Sequence, residues 1–128
     1  MNPLTAEWVE KAEGDLVTAR RERYARRTPN YDAACFHTQQ MAEKYLKAFI
    51  QESQLPVPRT HDLVELLLLC QPFEASFILI ETEIKSLNGY AVSVRYPGQT
   101  VIKDDAVQAV RQASVVRKFV REKLGLSI

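Results

Sequence analysis

Cysteine is scarce in this chain of 128 residues: there are two, Cys35 and Cys70. They make no C-x-x-C pair, which excludes a disulfide framework and a paired-cysteine metal site. Both sit in apolar helical surroundings and read as reduced packing residues, as expected of a cytoplasmic protein. Glycine is scarce too, at four residues. Neither G-x-G-x-x-G nor G-x-x-x-x-G-K-[ST] occurs, so no glycine-rich phosphate loop is expected, and H-E-x-x-H and G-x-S-x-G are missing as well. Net charge is nearly absent, at +1, which argues neither for nor against nucleic acid as a partner. No apolar run is long enough for a membrane span, and the opening MNPLTAEW lacks the basic and apolar regions of a signal peptide. The chain is therefore expected to have no membrane partner.

What is present is helical periodicity. At this length a single domain, residues 1–128, can bury most of its unfolded surface without staples. The dominant stretch is residues 30–50, NYDAACFHTQQMAEKYLKAFI, about 30 Å of helix at 1.5 Å per residue. Asn30 suits the N-cap, and Asp32 suits the positive end of the helix dipole. Ala34, Cys35, Met41, Ala42, Tyr45, Leu46, Ala48 and Phe49 fall on one wide apolar face. His37, Gln40, Lys44, Lys47 and Gln51 form the opposite ridge. Glu43 stands four residues before Lys47, the favourable order for a helical ion pair.

The six prolines all fall where apolar periodicity breaks, leaving five helical segments. The first runs from about Thr5 to Arg26 and is expected to bury Trp8, Val9, Ala12, Leu16 and Ala19. Gly14 inside it is either the site of a close helix crossing or merely tolerated, at about 1 kcal/mol against Ala. After Pro56 and Pro58, Thr60 is expected to cap a third helix with His61 just inside it. Its Leu63–Leu69 run leaves almost no polar face, which predicts burial on most sides. The fourth helix is expected to start near Pro72 and to bury Phe73, Phe77, Ile80, Ile84 and Leu87. Ile78 and Leu79 fall off that stripe, and a second apolar side points to self-association. Asn88-Gly89 is expected to end the helix, with Gly89 left-handed. YAVSVRYPGQT reads equally as extended chain or frayed helix, closed by a Pro97-Gly98 turn of type II character. Asp104 or Asp105 opens the last helix, which buries Ala106, Ala109, Val110, Ala113, Val116, Val120 and Leu124, and Gly125 closes it. The class is all-α, an antiparallel up-and-down bundle of four to five helices.

Chemistry-bearing residues are few. Arg20, Arg21, Arg23, Arg26 and Arg27 crowd the end of the first helix. They read as favourable charge at a helix C-terminus, or as a phosphate-attracting patch beside Tyr24, whose ring would stack on a base. The histidines, His37 and His61, have Glu43 and Asp62 as their close carboxylates in sequence, too little for a metal site. Each reads also as a hydrogen-bonded helix-end or surface residue.

CFHTQQMAEKYLKAFI, then RTHDLVELL, then VRYPG and a last helix opened by DDA together resemble the HEPN domain (higher eukaryotes and prokaryotes nucleotide-binding). The resemblance runs from the first helix to the last, and the Gln39–Ala48 block carries most of it. It implies a four- or five-helix bundle, commonly a homodimer, paired with a small nucleotidyltransferase in bacteria and archaea. Many such domains are metal-independent ribonucleases that use an arginine and a histidine separated by four to six residues. Arg95 is the arginine that maps to that motif, but Thr100, Val101 and Ile102 stand where the histidine belongs. Without the imidazole the usual general acid/base is lost.

Three readings follow. The first is a non-catalytic module, half of a toxin-antitoxin-like pair, presenting Arg95, Tyr96, Lys44, Lys47 and His37 to a nucleotide phosphate or to the nucleotidyltransferase. Its only small-molecule ligand would be that nucleotide, with no cofactor and no metal. The second is an endoribonuclease acting on RNA, with a rearranged site around Arg95 and His61. The third is a purely structural helical adaptor.

Overall fold

The fold was obtained as a computed structural model, and it describes residues 1–91 and 96–128. Among the described residues five α-helices follow one another: α1 (Pro3–Tyr24), α2 (Tyr31–Glu52), α3 (Leu63–Cys70), α4 (Glu81–Asn88) and α5 (Lys103–Lys123). A 3-10 helix, Ala75–Ile80, leads into α4, and a shorter one, Gly89–Ala91, follows it. Among the described residues there is no strand, and no helix is long and apolar enough to cross a membrane.

The side-chain ties give the helix directions. At one end the Glu52 carboxylate accepts from the backbone N–H of Asn2 and the hydroxyl of Thr5, and Trp8 Nε1 donates to Gln51 Oε1. Nearer the other end Asp15 meets Lys44 and His37, so α1 and α2 are antiparallel. Arg117 bonds Glu13 and Arg20 bonds Ser114, so α5 runs against α1 and alongside α2. α2 is the centre, packed on α1, α3, α4 and α5. Its expected face is buried from Ala34 to Ala48, and Phe49, Phe77 and Phe119 meet edge to face at 4.7 and 4.9 Å between ring centroids. The six expected small residues of α5 from Ala106 to Val120 are all buried, and Leu124 packs against the core from its edge. Cys35 and Cys70 are buried and free, and burial pushes both thiols up to about 12.

The helix ends correct several expectations. α1 stops at Tyr24, two residues before Arg26, and Trp8 is only half-buried. Thr60 does not cap α3: Asp62 does, accepting from Val64 N at 2.9 Å, which leaves His61 outside the helix. α3 is not buried on most sides, because Leu68 and Leu69 face solvent. Pro72 does not start the fourth helix; the chain turns through residues 71–73 and resumes as 3-10 at Ala75, with Phe73 exposed. Gly89 is not left-handed, since its φ of −64° carries the chain on into a 3-10 turn. Ile102, not an aspartate, occupies the N-cap of α5, and its N–H donates to the Asp105 carboxylate at 2.9 Å.

Two turns hold as expected. Gln99 N donates to Tyr96 O and Gly98 has φ +87°, the type II arrangement. Gly125 (φ +74°) follows the end of α5, where Leu126 N reaches Arg121 O and Gly125 N reaches Glu122 O. This is a Schellman closure. Gly14 supports no close crossing: a Cβ there would meet nothing within 4 Å. Gly14→Ala is therefore expected to raise stability by about 1 kcal/mol, measured as a higher denaturant midpoint with an unchanged slope. A loss of stability would mean that the open space at Gly14 is used.

Candidate functional site

The polar residues of α2 are turned inward more than their type suggests. Glu43 and Lys47 are 4 % and 5 % exposed, so this part of the ridge is no open face. Their ion pair spans 3.1 Å, one helical turn apart as the spacing predicts. The other Glu43 oxygen binds His61 Nδ1 at 2.9 Å. Gln39, also buried, donates from Nε2 to the His61 carbonyl at 3.0 Å, and Gln40 donates to Gln39 Oε1. One turn of α2 thus fixes both the ring and the backbone of His61. The imidazole itself is largely exposed, and its Nε2 has no partner among the described residues.

A similar arrangement holds His37. Asp15, on α1, accepts from Lys44 Nζ and meets His37 Nδ1 at 2.8 Å. Lys44, Lys47 and His37 are therefore each paired with a carboxylate, and Asp15 and Glu43 keep them in two separate groups. Arg95 lies outside the described residues. Tyr96, beside it, is 60 % exposed at the start of the type II turn. The structure thus brings His61 together with Lys47 on Glu43, but not with His37 or Lys44.

A third polar cluster joins α1, α2 and α5. Glu13 accepts from Arg117 Nε at 2.9 Å and from the buried hydroxyl of Tyr45, to which Arg121 also donates. Partial burial pushes the Glu13 carboxyl up, but the bonds from Arg117 and Tyr45 outweigh it and hold it below the ordinary value. Burial, then the bond to Glu13, pushes the Tyr45 phenol up to about 12. With Glu13 depressed, its contribution to stability is present above the unfolded carboxylate pKa and is lost as pH falls through the folded one.

One open cleft borders the Glu43 group, at Lys47 and His61. About 580 Å³ in volume, it is lined by Trp8, Lys47, Val57, Pro58, Arg59 and His61. The Lys47 ammonium stands 5.6 Å from the Trp8 ring centroid. Arg59 is exposed and makes no hydrogen bond or ion pair with another described residue. Neither Trp8 nor Arg59 stood out as functional in the sequence, though P-V-P-R is a stiff presenting segment and Trp8 is the single tryptophan. At the end of α1, Arg23 covers the face of Tyr24 at 4.3 Å, while Arg21, Arg26 and Arg27 are exposed. Among the described residues no three His, Cys, Asp or Glu side chains group to hold a metal ion.

An all-α bundle with a polar-packed central helix and, among the described residues, no grouped metal ligands is the class these features define. The HEPN domain profile matches residues 5–123, and the chain belongs to that family. It is similar to the crystal structure of TT1696 from Thermus thermophilus, with a TM-score of 0.81 and 26 % identity over 96 % of this chain and 99 % of the other. It shares its fold with ST0689, described as an archaeal HEPN homologue, at a TM-score of 0.71 and 24 % identity over 93 % and 96 % of the two chains. No curated protein matches it significantly.

Proposed function

We propose that this HEPN protein is a non-catalytic binding module: a homodimer that takes a nucleotide phosphate and works with a small nucleotidyltransferase, in the manner of a toxin-antitoxin pair. The observation that carries this reading is how the family's charged residues are used. His37 and Lys44 are held on Asp15, and His61 and Lys47 on Glu43. His37, Lys44 and Lys47, so engaged, serve the scaffold, and binding falls to groups at its surface. Arg95 and Tyr96 are the ligand contacts in this reading, and Tyr96 opens a turn that Pro97 and Gly98 stiffen. Arginine suits a phosphate because its planar fork donates two parallel hydrogen bonds. Nucleotide binding should weaken with salt, and Arg95→Ala should weaken it by about 1–3 kcal/mol in calorimetric titration. Unchanged affinity would remove Arg95 from the site.

A second reading, a ribonuclease with a rearranged site, is favoured by one feature: the Glu43 carboxylate fixes the His61 ring and leaves Nε2 outward, as an orienting partner does for a catalytic base. One assay separates the two. Purified protein in chelator is expected to leave single-stranded RNA intact. Cleavage abolished by Arg95→Ala and by His61→Ala would establish the nuclease reading instead.

A further inference from the structure

The Trp8 cleft pairs an aromatic surface with two anion-binding groups, and Tyr96 is not among its described lining residues. We infer that it is a mononucleotide site, in which a planar base packs on Trp8 and Pro58 and a phosphate is held by Arg59 and His61. The inference rests on the nucleotide-binding reading above and adds to its Arg95–Tyr96 contacts a second place for a nucleotide.

Charge comes first. Within the cleft's surroundings the Glu43 carboxylate is already shared by Lys47 and His61. Arg59 therefore brings an unneutralised charge to the rim, with its full fork of donors available. His61 adds an imidazole whose Nδ1 is committed to Glu43, so the edge left for a ligand is Nε2. Because the ring and its own carbonyl are both anchored to α2, little rotamer freedom is lost when it engages a phosphate.

Shape comes second. About 580 Å³ lies in the range of small-molecule sites. That is room enough for one nucleotide. Trp8 is half-buried, with Nε1 tied to Gln51 and the Lys47 ammonium over its ring, so the ring is held in place and a base would meet it next to that ammonium. Pro56 and Pro58 restrict the segment that carries Val57 and Arg59, so the opposite wall is stiff as well.

The single tryptophan makes the site observable in the intact chain. ADP, adenosine and pyrophosphate are the probes, each followed by calorimetry and by Trp8 fluorescence. ADP is expected to bind and to change Trp8 emission, and adenosine and pyrophosphate to bind more weakly, since each supplies half of the contacts. Arg59→Ala is expected to weaken ADP by roughly 10–100-fold, the scale of a charged hydrogen bond, and His61→Ala to weaken it less. Both residues are exposed, so the variants should keep the wild-type circular dichroism. ADP binding with unchanged Trp8 emission and full affinity in Arg59→Ala would overturn this site while leaving nucleotide binding intact elsewhere. No heat from any probe would overturn both.

Discussion

Glu43→Ala is expected to be among the most damaging single substitutions on α2, costing about 3–5 kcal/mol, the scale for removing one partner of a buried ion pair. The cost comes less from the lost attraction than from what remains. Lys47, 5 % exposed, would keep its charge with no carboxylate to meet it. His61 would lose the acceptor at Nδ1 and the α2–α3 connection one of its two anchors, Gln39 being the other. For a domain of this size the fall in melting temperature should be roughly 10 °C or more. A paired replacement, Glu43→Leu with Lys47→Met, should recover most of the loss, because no charge is then left stranded. If Glu43→Ala melts within about 1 °C of the wild type, Lys47 has an escape route to solvent and the pair is not a structural element.

Ile78→Asp is expected to turn a dimer into a soluble monomer. Ile78 and Leu79 are 60 % and 73 % exposed, in the 3-10 helix that leads into α4. Leu68, Leu69 and Phe73 are exposed nearby in sequence, so one short stretch of chain carries five large apolar groups in water. A stable interface buries about 800 Å² on each partner, and five such side chains supply a large part of the apolar core it needs. A charge placed in that core should weaken association by at least about 2 kcal/mol, or more than tenfold in Kd. Sedimentation should find the wild type near twice the 14.6 kDa chain mass and the variant near that mass, with equal helix content. A monomeric wild type at micromolar concentration would sink the dimer outright. Unfolding of the variant is not expected, since Ile78 makes no part of the buried core.

How much of this was legible depended on which force decided each feature. The bundle was readable because helix faces repeat: Ala34 to Ala48 on α2 and Ala106 to Val120 on α5 are buried as their spacing requires. The α3–α4 region was read less well. Leu68 and Leu69 looked like core because a run of leucines carries no phase, and only tertiary packing says which of them stay outside. Thr60 and Asp62 are both good caps two residues apart, and Asn88 decided between them by bonding Leu63 N and the Asp62 carboxylate. The site suffered from a related blindness. Lysine and glutamate read as surface residues, and Glu43 with Lys47 went inside because each neutralises the other. Arg59 and Trp8 are 51 positions apart in the chain, and no local pattern joins them into one cleft.

The buried pair on α2 also has a meaning for descent. A lineage cannot exchange Glu43 and Lys47 one at a time without passing through a form that carries an unmatched internal charge, and that form is poorly stable. Such positions are expected to change as a unit, together with Gln39, which holds the His61 carbonyl. The stretch that identifies the bundle is thus a record of how the chain is put together. Arg59 and Tyr96, exposed and outside that network, are free to change singly.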